Sequence, residues 1–194
     1  KVGRKDFLEY AKAFGFGSKT GIELSGEVQG SINALSDKNE IYLATSSFGQ
    51  GFTVTPLQLV SAFGAIANGG NLMQPYLVHA IVKPDGNKLT TKPKVVRRVI
   101  SERSATLLSG MLVNVVRKGH GTRAGVPYYY VAGKTGTAQV PRKDGRGYET
   151  HVTIGSFVGF APVDNPQFVM LVKVDRPRDV QWAESSAAPL FGDI

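Results

Sequence analysis

The sequence predicts an α+β fold, with helices first and then an antiparallel sheet flanked by helices. Three observations carry this. Residues 1–125 hold capped segments with helical hydrophobic spacing, and from Tyr128 the hydrophobic period changes to two. The runs beyond that point are joined by connections too short for parallel crossovers.

The elements follow in order. Phe7, Leu8, Ala11 and Phe14 share one helical face over residues 4–14, and Gly15 and Gly17 stop that helix. Residues 18–39, rich in Gly and Ser, read as an ordered loop, and a short helix is expected over 39–47. The clearest helix has Thr55 as N-cap, Pro56 at its first position and a face of Leu59, Val60, Phe63, Ile66 and Ala67. Gly69-Gly70 ends it. Tyr76 to Val82 reads as a strand, with Pro84-Asp85-Gly86-Asn87 as its turn. A second long helix starts at Ser101, carries Leu107, Leu108, Met111, Leu112, Val115 and Val116, and ends at Gly119. Residues 128–140, 151–161 and 167–176 then form a meander through Pro141–Thr150 and the tight Val163-Asp164-Asn165-Pro166 turn. Ala183 to Ile194 reads as the start of a helix packing back on that sheet.

Composition narrows the function classes. Of 194 residues 42% are hydrophobic and 20% charged, which is enough to bury a core and excludes disorder by composition. No apolar run approaches the roughly 18–20 residues of a membrane-spanning helix. The absence of cysteine excludes disulfides and thiolate metal sites. The chain begins at Lys1 with neither a start Met nor a signal peptide, and so reads as a fragment or processed product. The net charge of +8 is uneven. Residues 83–103 and 112–150 each carry seven basic and two acidic groups, whereas residues 1–82 are neutral. No helix-turn-helix, zinc finger or aromatic-rich RNA motif accompanies the basic segments, so a solvated basic face is the reading and nucleic acid is not an expected partner. His79, His120 and His151 lack the spacing of a metal site.

The chemistry concentrates in Gly133-Lys134-Thr135-Gly136-Thr137. A phosphate-cradling loop would need Gly at 128, where Tyr128 stands, and a helix after Thr135, where β-branched residues follow. The alternative is the K-T-G element of acyl-serine enzymes acting on D-Ala-D-Ala peptides and β-lactams. On an edge strand, the Lys134 ammonium attracts a terminal carboxylate and the Thr135 and Thr137 hydroxyls hydrogen-bond it. Gly136 lets a substrate backbone lie against the strand by β-augmentation, and the Thr137 N–H serves as an oxyanion donor. As a bare tripeptide the motif is weak.

It does not stand alone. In order along the chain come Phe14-Gly15-Phe16-Gly17, Gly26-Glu27-x-x-Gly30, Phe48-Gly49-Gln50-Gly51, Thr55-Pro56-Leu57-Gln58-Leu59 and Ile66-Ala67-Asn68-Gly69-Gly70. Then follow Gly119-x-Gly121-Thr122, Val131-Ala132-Gly133-Lys134-Thr135-Gly136-Thr137-Ala138-Gln139, Ser156-Phe157-Val158-Gly159-Phe160-Ala161-Pro162 and Ala187-Ala188-Pro189-Leu190-Phe191. This string resembles the C-terminal portion of the transpeptidase domain of class B penicillin-binding proteins, over nearly the whole chain.

The resemblance implies a penicillin-binding, β-lactamase-like fold. Residues 1–125 would be its mostly helical part, residues 126–194 its antiparallel sheet and the start of a C-terminal helix. It implies a peptidoglycan D,D-transpeptidase working through an acyl-serine, with no metal or organic cofactor. Lys134 and Thr137 would be catalytic, and Thr135, Gly136, Ala138 and Gln139 substrate-binding. D-Ala-D-Ala stem peptides, β-lactams and other cell-wall synthesis proteins would be its partners. Its place would be the extracytoplasmic face of the membrane, anchored by a segment outside this chain. The family's Ser-x-x-Lys, with nucleophile and base, occurs nowhere in the 194 residues. Ser31-Ile32-Asn33 fits the family's Ser-x-Asn but follows Gly26-Glu27, whereas the family's motif precedes it, so Ser31 is not read as catalytic. The N-terminal part of the domain, with the nucleophile, two strands and the central helix, is expected to lie outside this chain. The runner-up is a β-lactam sensor or catalytically silent binding module on the same fold.

Overall fold

The computed structural model describes residues 2–142 and 144–194; Lys1 and Lys143, both counted in the charge above, lie outside the described residues. Among the described residues five α-helices occupy Arg4–Ala13 (α1), Glu40–Ser46 (α2), Pro56–Ala67 (α3), Glu102–Lys118 (α4) and Ala187–Asp193 (α5). The three-stranded sheet runs in the order β5-β6-β7, from Ala132–Pro141 (β5), Tyr148–Ala161 (β6) and Phe168–Asp175 (β7). Every neighbouring pair is antiparallel, as the short connections require.

Alternation along the strands divides the core in two. On one face Val131, Phe157 and Ala161 pack with Ala187, Ala188 and Phe191 of α5. The Phe157 and Phe191 rings meet at 4.7 Å between centroids, tilted by 59°. On the other face Ala132 and Phe160 pack with Ile66 of α3 and Leu112 of α4. Helix α4 supplies both faces, with Leu112 to one and Val116 to the other, and so closes the end of the sheet where β5 begins. Phe157 and Phe160 are fully buried, a burial of roughly 2–3 kcal/mol for each side chain.

Helix α3 starts as its sequence predicts, with a capping box between Thr55 and Gln58 and Pro56 in the first turn. Gln58 does more than cap. Its buried Nε2 donates to the carbonyls of Ser18 and Gln29, each at 2.8 Å, and of Gly15 at 3.3 Å. One amide thus orders the long Gly/Ser-rich loop against α3. Gly30 in that loop has φ +64, and a Cβ there would lie 2.4 Å from the Thr53 carbonyl oxygen. The loop also contains a short 3-10 turn, Asn33–Ser36, with Leu35 fully buried.

Residues 71–98 depart from the sequence reading. One strand and a turn were expected there; four short strands are present. Asn71–Met73 (β1) pairs with Val95–Arg98 (β4), and Ala80–Val82 (β2) with Lys88–Thr90 (β3). Three- and four-residue strands are too short to show alternation, and the β1–β4 pairing spans more than twenty residues. Part of the basic excess is structural. Arg97 donates to the Ala13 and Lys12 carbonyls at the C-terminal end of α1, and Arg98 to the carbonyl of Gly69. The strand expected over 128–140 starts at Ala132 instead, because Tyr128 takes φ 69 and a turn precedes the sheet. β6 begins at Tyr148, before the expected residue 151, and bulges where His151 takes φ 60.

Candidate functional site

Thr135 lies inside β5, not at the start of a helix, so the phosphate-loop alternative is excluded. The K-T-G segment sits on a strand that pairs, among the described residues, with β6 alone. Which way its backbone groups point follows from two contacts. The Gly136 carbonyl accepts from Ser156 Oγ of β6 at 3.2 Å, and the Ala132 carbonyl oxygen lies 2.7 Å from where a Cβ on Gly159 of β6 would stand. The even-numbered backbone groups of β5 therefore face β6, and by ladder alternation the N–H and C=O of Thr135 and Thr137 face the open edge. Consistent with this, Lys134 Nζ turns to that edge and donates to the Thr135 carbonyl at 2.8 Å, with Thr135 Oγ1 at 3.4 Å. An ammonium has three donors, so one remains for an incoming anion.

The side chains divide by face. Lys134, Gly136 and Ala138 lie on the α3 face, and Thr135, Thr137 and Gln139 on the α5 face. Lys134, Ala138 and Gln139 are exposed; Thr135, Gly136 and Thr137 are half-buried. Thr137 Oγ1 accepts from the backbone N–H of Ala183 at 3.1 Å. That N–H belongs to a 3-10 turn, Ala183–Ser185, just before α5.

The glycines of the site are explained by what fills their space. A Cβ on Gly133 would meet the tip of the Phe157 ring at 2.4 Å, so the core phenylalanine fills the space over the strand just before Lys134. A Cβ on Gly136 would lie 2.7 Å from Ser156 Oγ. Sequence reasoning assigned Gly136 to substrate approach alone and missed Ser156, which no local pattern marks because it meets Gly136 only through the β5–β6 register. Ser31, set aside from the sequence, exchanges backbone hydrogen bonds with Thr53 at 2.9 Å in an isolated bridge. Among the described residues no three or more His, Asp or Glu side chains are grouped so that they could hold a metal ion. His120 instead meets Glu184, Nδ1 to Oε2, at 2.6 Å.

Comparison with known proteins places this geometry. The penicillin binding protein transpeptidase domain model matches residues 1–194. Stage V sporulation protein D of Bacillus subtilis is 42% identical across 100% of this chain and 30% of its own length. Peptidoglycan D,D-transpeptidase FtsI of Escherichia coli is 30% identical over 93% of this chain and 29% of its own length. This chain therefore spans about a third or less of the curated relatives named here. The crystal structure of penicillin binding protein 3 from Mycobacterium tuberculosis superposes with a TM-score of 0.91 at 34% identity, covering 99% of this chain and 45% of that one. The same protein complexed with ampicillin gives a TM-score of 0.90. With the family model matched over the whole chain, a relative 42% identical across all of it and the fold superposing at a TM-score of 0.91, the chain belongs to the penicillin-binding protein transpeptidase-domain family.

Proposed function

We propose that the protein is a peptidoglycan D,D-transpeptidase and that these residues supply its carboxylate clamp and one oxyanion donor. The observation that carries the reading is the open edge of β5, where the Lys134 ammonium and the outward backbone groups of Thr135 and Thr137 stand together. A stem peptide ending in D-Ala-D-Ala adds to this edge as an extended strand, and its terminal carboxylate meets Lys134 and the hydroxyls of Thr135 and Thr137. Gly136, Ala138 and Gln139 border the same stretch. A serine supplied by residues other than these 194 attacks the penultimate D-Ala carbonyl. The peptide C–N bond breaks, terminal D-Ala leaves with the serine's proton, and the acyl group stays on the serine. An amine of a neighbouring stem peptide then takes the acyl group and the serine regains a proton. The Thr137 N–H stabilises the oxyanion in both steps, a contribution of about 3–4 kcal/mol in comparable sites.

β-Lactams acylate the same serine, and in this reading the remainder of the domain, with its nucleophile, lies outside these residues. The protein works on the extracytoplasmic side of the membrane, anchored by a segment outside this chain, beside other cell-wall synthesis proteins. The test is the second-order rate of acylation of the complete protein by a fluorescent penicillin. Lys134→Ala is expected to slow it strongly, and Lys134→Arg to retain charge but misplace it. Wild-type rates in folded Lys134→Ala would overturn the reading.

A further inference from the structure

The 3-10 turn Ala183–Ser185 is fastened to the sheet around Thr137. Thr153 Oγ1 of β6 donates to the Gln181 carbonyl at 2.7 Å, and the Ala183 N–H donates to Thr137 Oγ1. Ser186 Oγ donates to the Trp182 carbonyl at 3.0 Å, and a Cβ on Gly155, the cross-strand partner of Thr137, would lie 2.5 Å from that Oγ. The turn thus fills the space that Gly155 leaves empty.

The turn has one further tether. Glu184 Oε2 meets His120 Nδ1 at 2.6 Å, joining the turn to the segment that follows α4. In that segment a Cβ on Gly121 would lie 3.3 Å from the Phe157 ring, the same ring that occupies the space over Gly133. One end of the His120–Glu184 contact is therefore anchored beside the residue preceding Lys134. The other is anchored beside the residue that donates to Thr137.

A hydroxyl has one proton and two lone pairs. With one lone pair of Thr137 Oγ1 taken by Ala183, the proton is left to donate to an anion at the β5 edge. We propose that His120 and Glu184 are positioning residues that brace the turn so that the Thr137 hydroxyl presents its proton to the substrate carboxylate. This rests on the transpeptidase reading above.

The brace is exposed, with side-chain accessibilities of 85% for His120 and 41% for Glu184, so its effect is modest. Removing either partner by Glu184→Gln or His120→Ala should slow acylation of the complete protein by penicillin roughly two- to five-fold. Both positions are on the surface, and thermal unfolding checks that each variant is folded. A merely structural role is separated by two further measurements. In a Thr137→Val background, Glu184→Gln should have no additional effect, because the hydroxyl it serves is gone. Reversing the pair as His120→Glu with Glu184→Lys should restore the rate to within about two-fold of wild type, whereas His120→Glu alone should not. Equal effects of Glu184→Gln with and without Thr137, failure of the reversed pair to recover, or wild-type rates in both single variants would overturn the brace. Lys134→Ala in the same assay separates the two failures. If it is slow while the brace variants match wild type, the brace alone falls; if it is as fast as wild type, the transpeptidase reading falls and the brace with it.

Discussion

Gly136 has two explanations, and one double variant separates them. The substrate explanation requires an uncovered strand edge; the internal explanation is the 2.7 Å between a Cβ at this position and Ser156 Oγ. In Gly136→Ala the serine hydroxyl must rotate away and gives up its 3.2 Å hydrogen bond to the Gly136 carbonyl. That loss is about 0.5–1.5 kcal/mol, and local strain brings the total to roughly 1–2 kcal/mol. The complete protein should therefore still fold, with its melting temperature lowered by a few degrees. Adding Ser156→Ala removes the clash, since two cross-strand Cβ atoms sit comfortably about 4.5–5.5 Å apart. The double variant should recover most of the lost melting temperature. Its acylation by penicillin should remain at least about ten-fold slower than wild type, because the new methyl stands on the same face as the Lys134 side chain and crowds the approach of a ligand to that ammonium. Ser156→Ala alone should acylate within a few-fold of wild type. If the double variant acylates as fast as Ser156→Ala, the glycine serves Ser156 alone and the reasoning about substrate clearance is wrong.

Two further outcomes concern the loop that joins α1 to α2. Gln58→Leu removes the buried amide that donates to the carbonyls of Ser18 and Gln29, so urea unfolding of the complete protein should show a loss of about 1–3 kcal/mol; a loss under about 0.5 kcal/mol would mean that water replaces the amide. Glu27 accepts from the hydroxyl and N–H of Thr20 and the N–H of Gly21, and these bonds, led by the Thr20 hydroxyl, hold its carboxyl below its ordinary 4.5. A depressed carboxyl contributes stability that is fully present above 4.5 and fades as pH falls through the lower folded value. The melting-temperature gap between wild type and Glu27→Gln should accordingly be constant above that pH and close below it, and a gap unchanged down to the acid limit would refute the linkage.

Much of this molecule was legible before folding was considered. Thr55, Pro56 and the face from Leu59 to Ala67 define α3 because caps and helical spacing act within one or two turns. The β5–β6–β7 meander was legible for the same reason, since alternation and short connections are properties of neighbouring residues. The order of motifs from Phe14 to Phe191 carried the family, and Lys134 to Gln139 carried the candidate chemistry. What the tertiary structure alone decided is every relation between residues far apart in the chain. The β1–β4 pairing, the hold of Gln58 on Ser18 and Gln29, Ser156 beneath Gly136, and Ala183 on Thr137 across 46 residues have no local signature. Register and packing fix them, and both depend on which strands and helices meet. So the sequence names the groups at the β5 edge, but only folding determines that the amides of Thr135 and Thr137 face outward and what holds the Thr137 hydroxyl in place.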